Sequence, residues 1–223
     1  MKLFFHYCSF GFSNCYVLGA EEHDMPPADP PVPPQAPNPP DAAPLEAIII
    51  DPGAMNDQVL RSIENNNFQL RAILVTHDHL GHVHGLRTLK RIYNAEIFAV
   101  NRAVLDQKTT LVKDGDTFDI GPFKIEVISI PGHSADSAVY RIDSLLFTGD
   151  ALTAGLVGQT ASAYGAATQL GKLRSRLLSL PGDYTVLPGH GPPSSLEAER
   201  RFNVGINEYD ENTKRKPAFK VYM

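Results

Sequence analysis

Four apolar runs in this chain stop in the same way. AILVTHDHLGH at 72–82, VISIPGH at 127–133, SLLFTGD at 144–150 and YTVLPGH at 184–190 each end on a histidine or an aspartate close to a small residue. A strand buries its backbone in the ladder and turns the following loop outward. Several such ends in one sheet region therefore bring side chains from distant parts of a sequence around one spot. A single histidine at a strand end is ordinarily a hydrogen-bonded core or surface residue. Here six of the eight histidines fall either in the 77–84 cluster or in the Pro-Gly-His triplets at 131–133 and 188–190, which chance placement explains poorly. Neutral imidazoles and a carboxylate are donors that zinc, iron and manganese accept. Gly132, Gly149 and Gly189 let the backbone turn tightly just before three of them. The candidate donors are His77, His79, His82, His133, Asp150 and His190.

Around these ends the chain alternates. The opening MKLFFHYCSFGFSNCYVLGA is interrupted by His6, Cys8, Ser9, Ser13 and Asn14 and reads as two short strands about Gly11 rather than as a signal peptide. Cys8 and Cys15 read as buried free thiols, with a cross-hairpin disulfide as the alternative. Ten of the eighteen prolines lie between Pro26 and Pro44, so residues 25–44 are expected to form an exposed loop that enlarges one hairpin of a continuing sheet. Further on, the pattern predicts strands at AIIIDPG, RAILVTHDH, AEIFAV, FKIEVISIPGH, SAVYRID, SLLFTGD and YTVLPGH. Helices are expected over Asn56–Asn65, His82–Tyr93, Ala166–Leu180 and Ser195–Phe202. Clustered strands with helices between them predict an α+β protein of two sheets covered by helices on their outer faces, which 223 residues can form as one domain.

Charge and hydropathy narrow the partners. With 20 basic against 25 acidic residues and no basic block, nucleic acid is not the expected partner. No run approaches the roughly eighteen apolar residues of a membrane span, so a soluble protein is expected; the free thiols point to the cytoplasm, and the expected partner is a small-molecule substrate. Oligomeric state is not readable from the sequence.

Taken in order, NCYVL, IIIDPG, THDHLGH, PGHS, FTGD and LPGHGPPSSLEAE resemble the metallo-β-lactamase superfamily and its glyoxalase II-like thioester hydrolases, over nearly the whole chain. The resemblance implies an αββα four-layer sandwich, a single domain over 1–223. It also implies that His77, His79 and His133 hold a first metal, that Asp150 bridges, and that His82 and His190 serve a second. Asp150 and His190 stand among the catalytic groups, and solvent shared by the metals is the implied nucleophile. The expected cofactor is a divalent metal, one or two per chain: zinc first, with iron or manganese as alternatives. Paired cations would lower the pKa of a shared water from about 15.7 toward neutrality, polarise the carbonyl under attack and stabilise the developing oxyanion.

This chain departs from the family pattern at several positions. H-x-H-x-D-H has Gly81 in place of its aspartate, and His84 is either an exchanged ligand or a solvated residue off another face. Asp78 could orient an imidazole. Asp136, Tyr164 and Gln159 are expected to line the substrate pocket. Little sequence follows LPGHG, so the glutathione grip of full-length glyoxalase II is not expected. Hydrolysis of a thioester or lactone is the leading expectation. The alternatives are a mononuclear-iron persulfide dioxygenase-like enzyme and a non-catalytic metal-binding module that docks partners through its Pro-rich loop. An exported lactamase and an RNA-processing nuclease fit less well.

Overall fold

The computed structural model describes residues 1–21, 24 and 43–207, so nearly all of the Pro-rich segment expected as a loop over 25–44 lies outside the described residues. The chain opens with a hairpin of β1 (Lys2–Cys8) and β2 (Ser13–Gly19), in which His6 pairs with Cys15. Both cysteines are buried and free. β3 (Leu45–Ile50) returns antiparallel to β2, on either side of the Pro-rich segment, and β4 (Phe68–Leu74) and β5 (Glu96–Ala99) follow in parallel. A small ribbon of β6 (Ala103–Val104) and β7 (Gln107–Lys108) precedes β8 (Thr110–Leu111), which completes a six-stranded sheet in the order β1-β2-β3-β4-β5-β8.

The second sheet begins with β9 (Thr117–Ile120), β10 (Phe123–Ser129), β11 (Ala138–Ile142) and β12 (Leu145–Gly149) as an antiparallel meander. Asp143, at φ +50°, makes the tight turn between the last two. After a ribbon of β13 (Leu152–Thr153) and β14 (Leu156–Val157), β15 (Thr185–Pro188) joins β12 in parallel and β16 (Ser194–Ser195) closes the order β16-β15-β12-β11-β10-β9.

Side-chain alternation fixes the layers, since neighbours along a strand point to opposite faces. Tyr16, Leu18, Ile48, Ile50 and Leu74 face Ile125, Val127, Tyr140, Phe147 and Leu187 across the middle of the molecule. Cys15, Val17, Ile49 and Ile73 point the other way, against Val59 and Ile63 of α1 (Asp57–Glu64) and Leu86 and Leu89 of α3 (Leu86–Ile92). The outer face of the second sheet packs Val139, Leu146 and Val186 against Leu170 of α4 (Ala163–Lys172), Leu196 of α5 (Leu196–Phe202) and Ile206 of α6 (Val204–Asn207). The result is the expected αββα sandwich. Because β3 is buried on both faces, it reads as a continuous apolar run rather than an alternating one. Among the described residues no helix is long and apolar enough to cross a membrane.

Two helix expectations need correction. The helix expected over His82–Tyr93 is two: α2 (Leu80–Val83) and α3, separated at His84 and Gly85. Gly85 donates its N–H to the Pro52 carbonyl, and a Cβ there would lie 2.7 Å from that oxygen, so the chain passes the 52–55 loop where only a glycine fits. The helix expected from Ala166 starts earlier, at Ala163, because Ser162 caps it by accepting from Gly165 N. It widens into a π-turn at Leu173–Leu177, where Leu178 N donates to Leu173 O.

The segment after β12 is fastened by a buried carboxylate. Glu199, 2% exposed, accepts from Gly155 N, Ser194 Oγ and Asn203 Nδ2. Glu199→Ala strands these donors and is expected to lower unfolding stability by about 2–4 kcal/mol, read as an earlier urea midpoint. An unchanged midpoint would show that water replaces the carboxylate at no cost.

Candidate metal centre

All six expected donors come to one edge of the sandwich. β3 and β4 run parallel with Ile50 opposite Leu74, so Asp51 and the Thr76–His79 segment leave the first sheet side by side. Asp51 N donates to Leu74 O, and Thr76 N donates back to Asp51 Oδ1 at 2.8 Å. In the second sheet, parallel pairing of β12 and β15 puts Asp150 and His190 at neighbouring strand ends, and His133 follows β10. Gly189 is required by crowding here: a Cβ would lie 2.4 Å from His82 Cε1 and 2.6 Å from Asp150 Oδ1. The sheets are stitched together at this edge. Asn14 Nδ2 donates to the Pro188 and Gly191 carbonyls, Tyr16 OH to Pro188 O, and Ala138 N to Thr76 O.

Hydrogen bonds set which nitrogen of each ring faces the centre. Thr76 Oγ1 gives its proton to Asp51 Oδ2 at 2.6 Å, so its oxygen accepts from His77 Nδ1 at 3.1 Å. His82 Nδ1 donates to Asp51 Oδ2 at 3.0 Å, and His133 Nδ1 donates to the Gln159 carbonyl at 2.7 Å. In each ring Nε2 is left to point inward. Those three Nε2 atoms stand 3.8, 3.5 and 3.6 Å from Asp150 Oδ2 for His77, His82 and His133 respectively. His133 Nε2 also lies 3.0 Å from His79 Nδ1. Nε2 of His77 and of His82 is buried with no hydrogen-bond partner among the described residues, an arrangement that costs free energy unless something accepts those lone pairs. Three donor groups lie close enough to share a cation: His77 with His79 and His133, His82 with Asp150 and His190, and Asp51 with His77 and His82. Imidazoles with one carboxylate suit zinc, iron or manganese. The residues present therefore fit a divalent metal.

A model of the metallo-beta-lactamase superfamily matches residues 44–190. The chain belongs to that superfamily. Among its relatives, the hydroxyacylglutathione hydrolase GloC of Haemophilus influenzae is 28% identical over 185 residues, 72% of this chain and 87% of that protein. The BLEG-1 B3 metallo-beta-lactamase structure superposes with a TM-score of 0.72 at 22% identity, covering 92% of this chain and 99% of that one. ETHE1 from Myxococcus xanthus gives 0.71 at 23%, covering 97% and 93%. These two likenesses are of fold.

Within the metallo-beta-lactamase frame, some expected residues do not join the centre. His84 is exposed and stacks on Phe10 with ring centroids 4.0 Å apart, so it does not replace the aspartate missing at Gly81. As C-cap of α2 it lies on a different face from His82, two residues and so about 200° around the helix. Asp78 orients no imidazole; its N–H donates to Asp136 Oδ2, which also accepts from Asn101 Nδ2. Asp136 is thereby used to fasten the 77–79 loop to the second sheet. Tyr164 is 82% exposed on α4, and Gln159 reaches the site through its backbone carbonyl, its side chain being exposed. The residue that sequence reading missed is Asp51, 2% exposed, with its oxygens taken by Thr76 and His82. IIIDPG carries the same signature as FTGD, an apolar run ending in aspartate beside a turn, and could have marked it.

The cluster also predicts how the metal-free protein responds to pH. Burial, reinforced by His82, pushes His77 down to about 3. Burial also opposes charge on His82, but the Asp150 and Asp51 carboxylates beside it override that and raise the ring to about 10. Asp150 is likewise held well below the carboxylate range, because His190 and His82 outweigh its burial. Below the ordinary histidine value of 6.5 the unfolded chain binds a proton at residue 77 that the folded chain does not, so acidification toward 3 destabilises. Stability from His82 is complete below 6.5 and is lost as pH rises through about 10. In chelator, Tm is expected to peak near neutrality and fall on both sides; a flat profile would contradict this electrostatic picture.

Proposed function

We propose that this chain hydrolyses a small ester-like substrate, a thioester or a lactone, at a divalent cation held by His77, His79, His133 and Asp150, with His82 and His190 beside it. The observation that carries the reading is the convergence of unpartnered, buried imidazole nitrogens on one carboxylate oxygen at the sheet edge. Such a cation, when bound, supplies water acidified from about 15.7 toward neutrality and a Lewis acid for the carbonyl, so no serine or cysteine nucleophile is needed.

The protein's own groups supply the rest. Asp51 and Thr76 bond Nδ1 of His82 and His77, which turns Nε2 of each ring toward the centre. Asp150 brings negative charge among five imidazoles and so offsets the charge of a cation. His190, with Nδ1 2.7 Å from Asp150 Oδ1 and its side chain 39% exposed, holds a proton at the mouth and can return it to a departing thiolate or alkoxide. The named activity of the GloC relative supports a thioester as the first substrate class to try.

The test is a panel of acyl thioesters and lactones assayed with metal-loaded and chelator-treated protein. Metal-dependent turnover of one class is expected. Oxygen consumption with one bound iron and no hydrolysis would transfer the site to the dioxygenase reading.

A further inference from the structure

Of the two buried residues of α4, Gln169 and Leu170, only the second is apolar. Gln169 is 1% exposed, and its Nε2 donates to the carbonyl of Ala151, the residue after Asp150, at 2.9 Å. Its Oε1 is buried with no hydrogen-bond partner among the described residues. The segments around this side chain are the ones that build the metal centre. A Cβ on Gly132 would lie 2.4 Å from Gln169 Cβ and 2.6 Å from the Gly165 carbonyl oxygen, so the turn that delivers His133 lies against α4. A Cβ on Gly158 would lie 3.3 Å from Gln169 Nε2 and 1.8 Å from the Asp150 carbonyl oxygen. Gln159, next in the chain, supplies the carbonyl that accepts from His133 Nδ1 at 2.7 Å. One amide thus stands among three segments: those that present His133 and Asp150, and the one that orients the His133 ring.

We propose that Gln169 is a positioning residue of the metal centre, whose side chain fixes the spacing of His133 and Asp150 from behind. The inference rests on the cation site of the hydrolase reading above and not on the substrate named there. Packing alone would not call for a glutamine. A leucine or methionine would fill the space without burying an unpartnered oxygen, which costs free energy. The amide instead gives the Ala151 carbonyl a donor and so ties the turn after Asp150 to the helix that supports His133. His133 Nε2 and Asp150 Oδ2 stand 3.6 Å apart across the centre, so a shift of either segment changes the separation of two groups that would share a cation. Losing a group that orients ligands from behind lowers metal affinity by about 10–100-fold.

The experiment uses the full chain. Gln169→Met keeps the length of the side chain and removes the amide; Gln169→Leu repeats the measurement if the methionine variant does not fold. Zinc affinity is read by competition with a chromophoric chelator. Cobalt(II) is then loaded for its visible absorption, which reports the arrangement of donors around the ion. Metal-free, the folded variant should melt within a few degrees of the native protein, yet bind zinc about 10-fold more weakly and show a shifted cobalt spectrum. Leu170→Val, on the same helix, loosens packing without touching the amide and should keep native zinc affinity. Unchanged affinity and cobalt spectrum in the Gln169 variant overturn the proposal, as does equal weakening by Leu170→Val. Weaker zinc binding by the Gln169 variant alone supports it even if no thioester or lactone is turned over, which would remove only the hydrolase reading. A native protein that binds no divalent metal overturns both.

Discussion

Replacing His133 by alanine is expected to abolish metal retention and to lower hydrolysis by about 10³-fold or more, with little effect on folding. The two effects separate because of where the residue sits. His133 lies on the loop after β10, partly exposed, and its tie outside the donor cluster is the hydrogen bond from Nδ1 to the Gln159 carbonyl. Such a bond contributes about 1 kcal/mol net, so the metal-free variant should melt within a few degrees of the metal-free native protein. At the centre the loss is larger: His133 Nε2 is one of the nitrogens around Asp150 Oδ2 and stands 3.0 Å from His79 Nδ1. Calorimetric titration with zinc and a thioester assay on the same preparation check both halves. Full activity with full metal content would remove His133 from the site.

Asp51→Ala is expected to act in the opposite proportion, damaging stability first and the metal through it. One carboxylate accepts from Thr76 N, Thr76 Oγ1 and His82 Nδ1, all in the interior. Removing it leaves those donors without partners and releases the hydroxyl that fixes the His77 ring. The cost is about 3–5 kcal/mol, or roughly 10 °C in Tm for a chain of this size. Metal affinity should fall by about 10–100-fold, the usual effect of losing an orienting partner behind a ligand. Asp51→Asn, which keeps the shape, should recover part of the stability and less of the affinity, because an amide cannot accept from all three donors. Equal loss in both variants would show that charge rather than orientation is what residue 51 supplies.

The donors were readable in the sequence because their signal is local: an apolar run, a small residue, then histidine or aspartate. His77, His133, Asp150 and His190 follow that rule, His79 and His82 come within five residues of the first, and all six arrive at one edge. Fold class was readable for a related reason, since runs such as AIIIDPG and RAILV can be buried only between layers. What escaped depends on contacts between distant segments. The break at Gly85 comes from the approach of Pro52 and Ala54, the stacking of His84 on Phe10 from the hairpin, and the seating of Gly11 on Gly81 from a fold that joins residues seventy positions apart. None of these leaves a periodicity in the chain. Asp51 is the intermediate case, locally marked by IIIDPG yet assigned no role, because an aspartate before Pro-Gly reads equally well as a turn residue.

Anomalous scattering from a crystal grown with zinc, or with iron, tests the central claim most directly. A peak enclosed by His77, His79, His133 and Asp150 is the predicted result; a map in which those side chains surround no metal, or in which the ion sits on other residues, would contradict it.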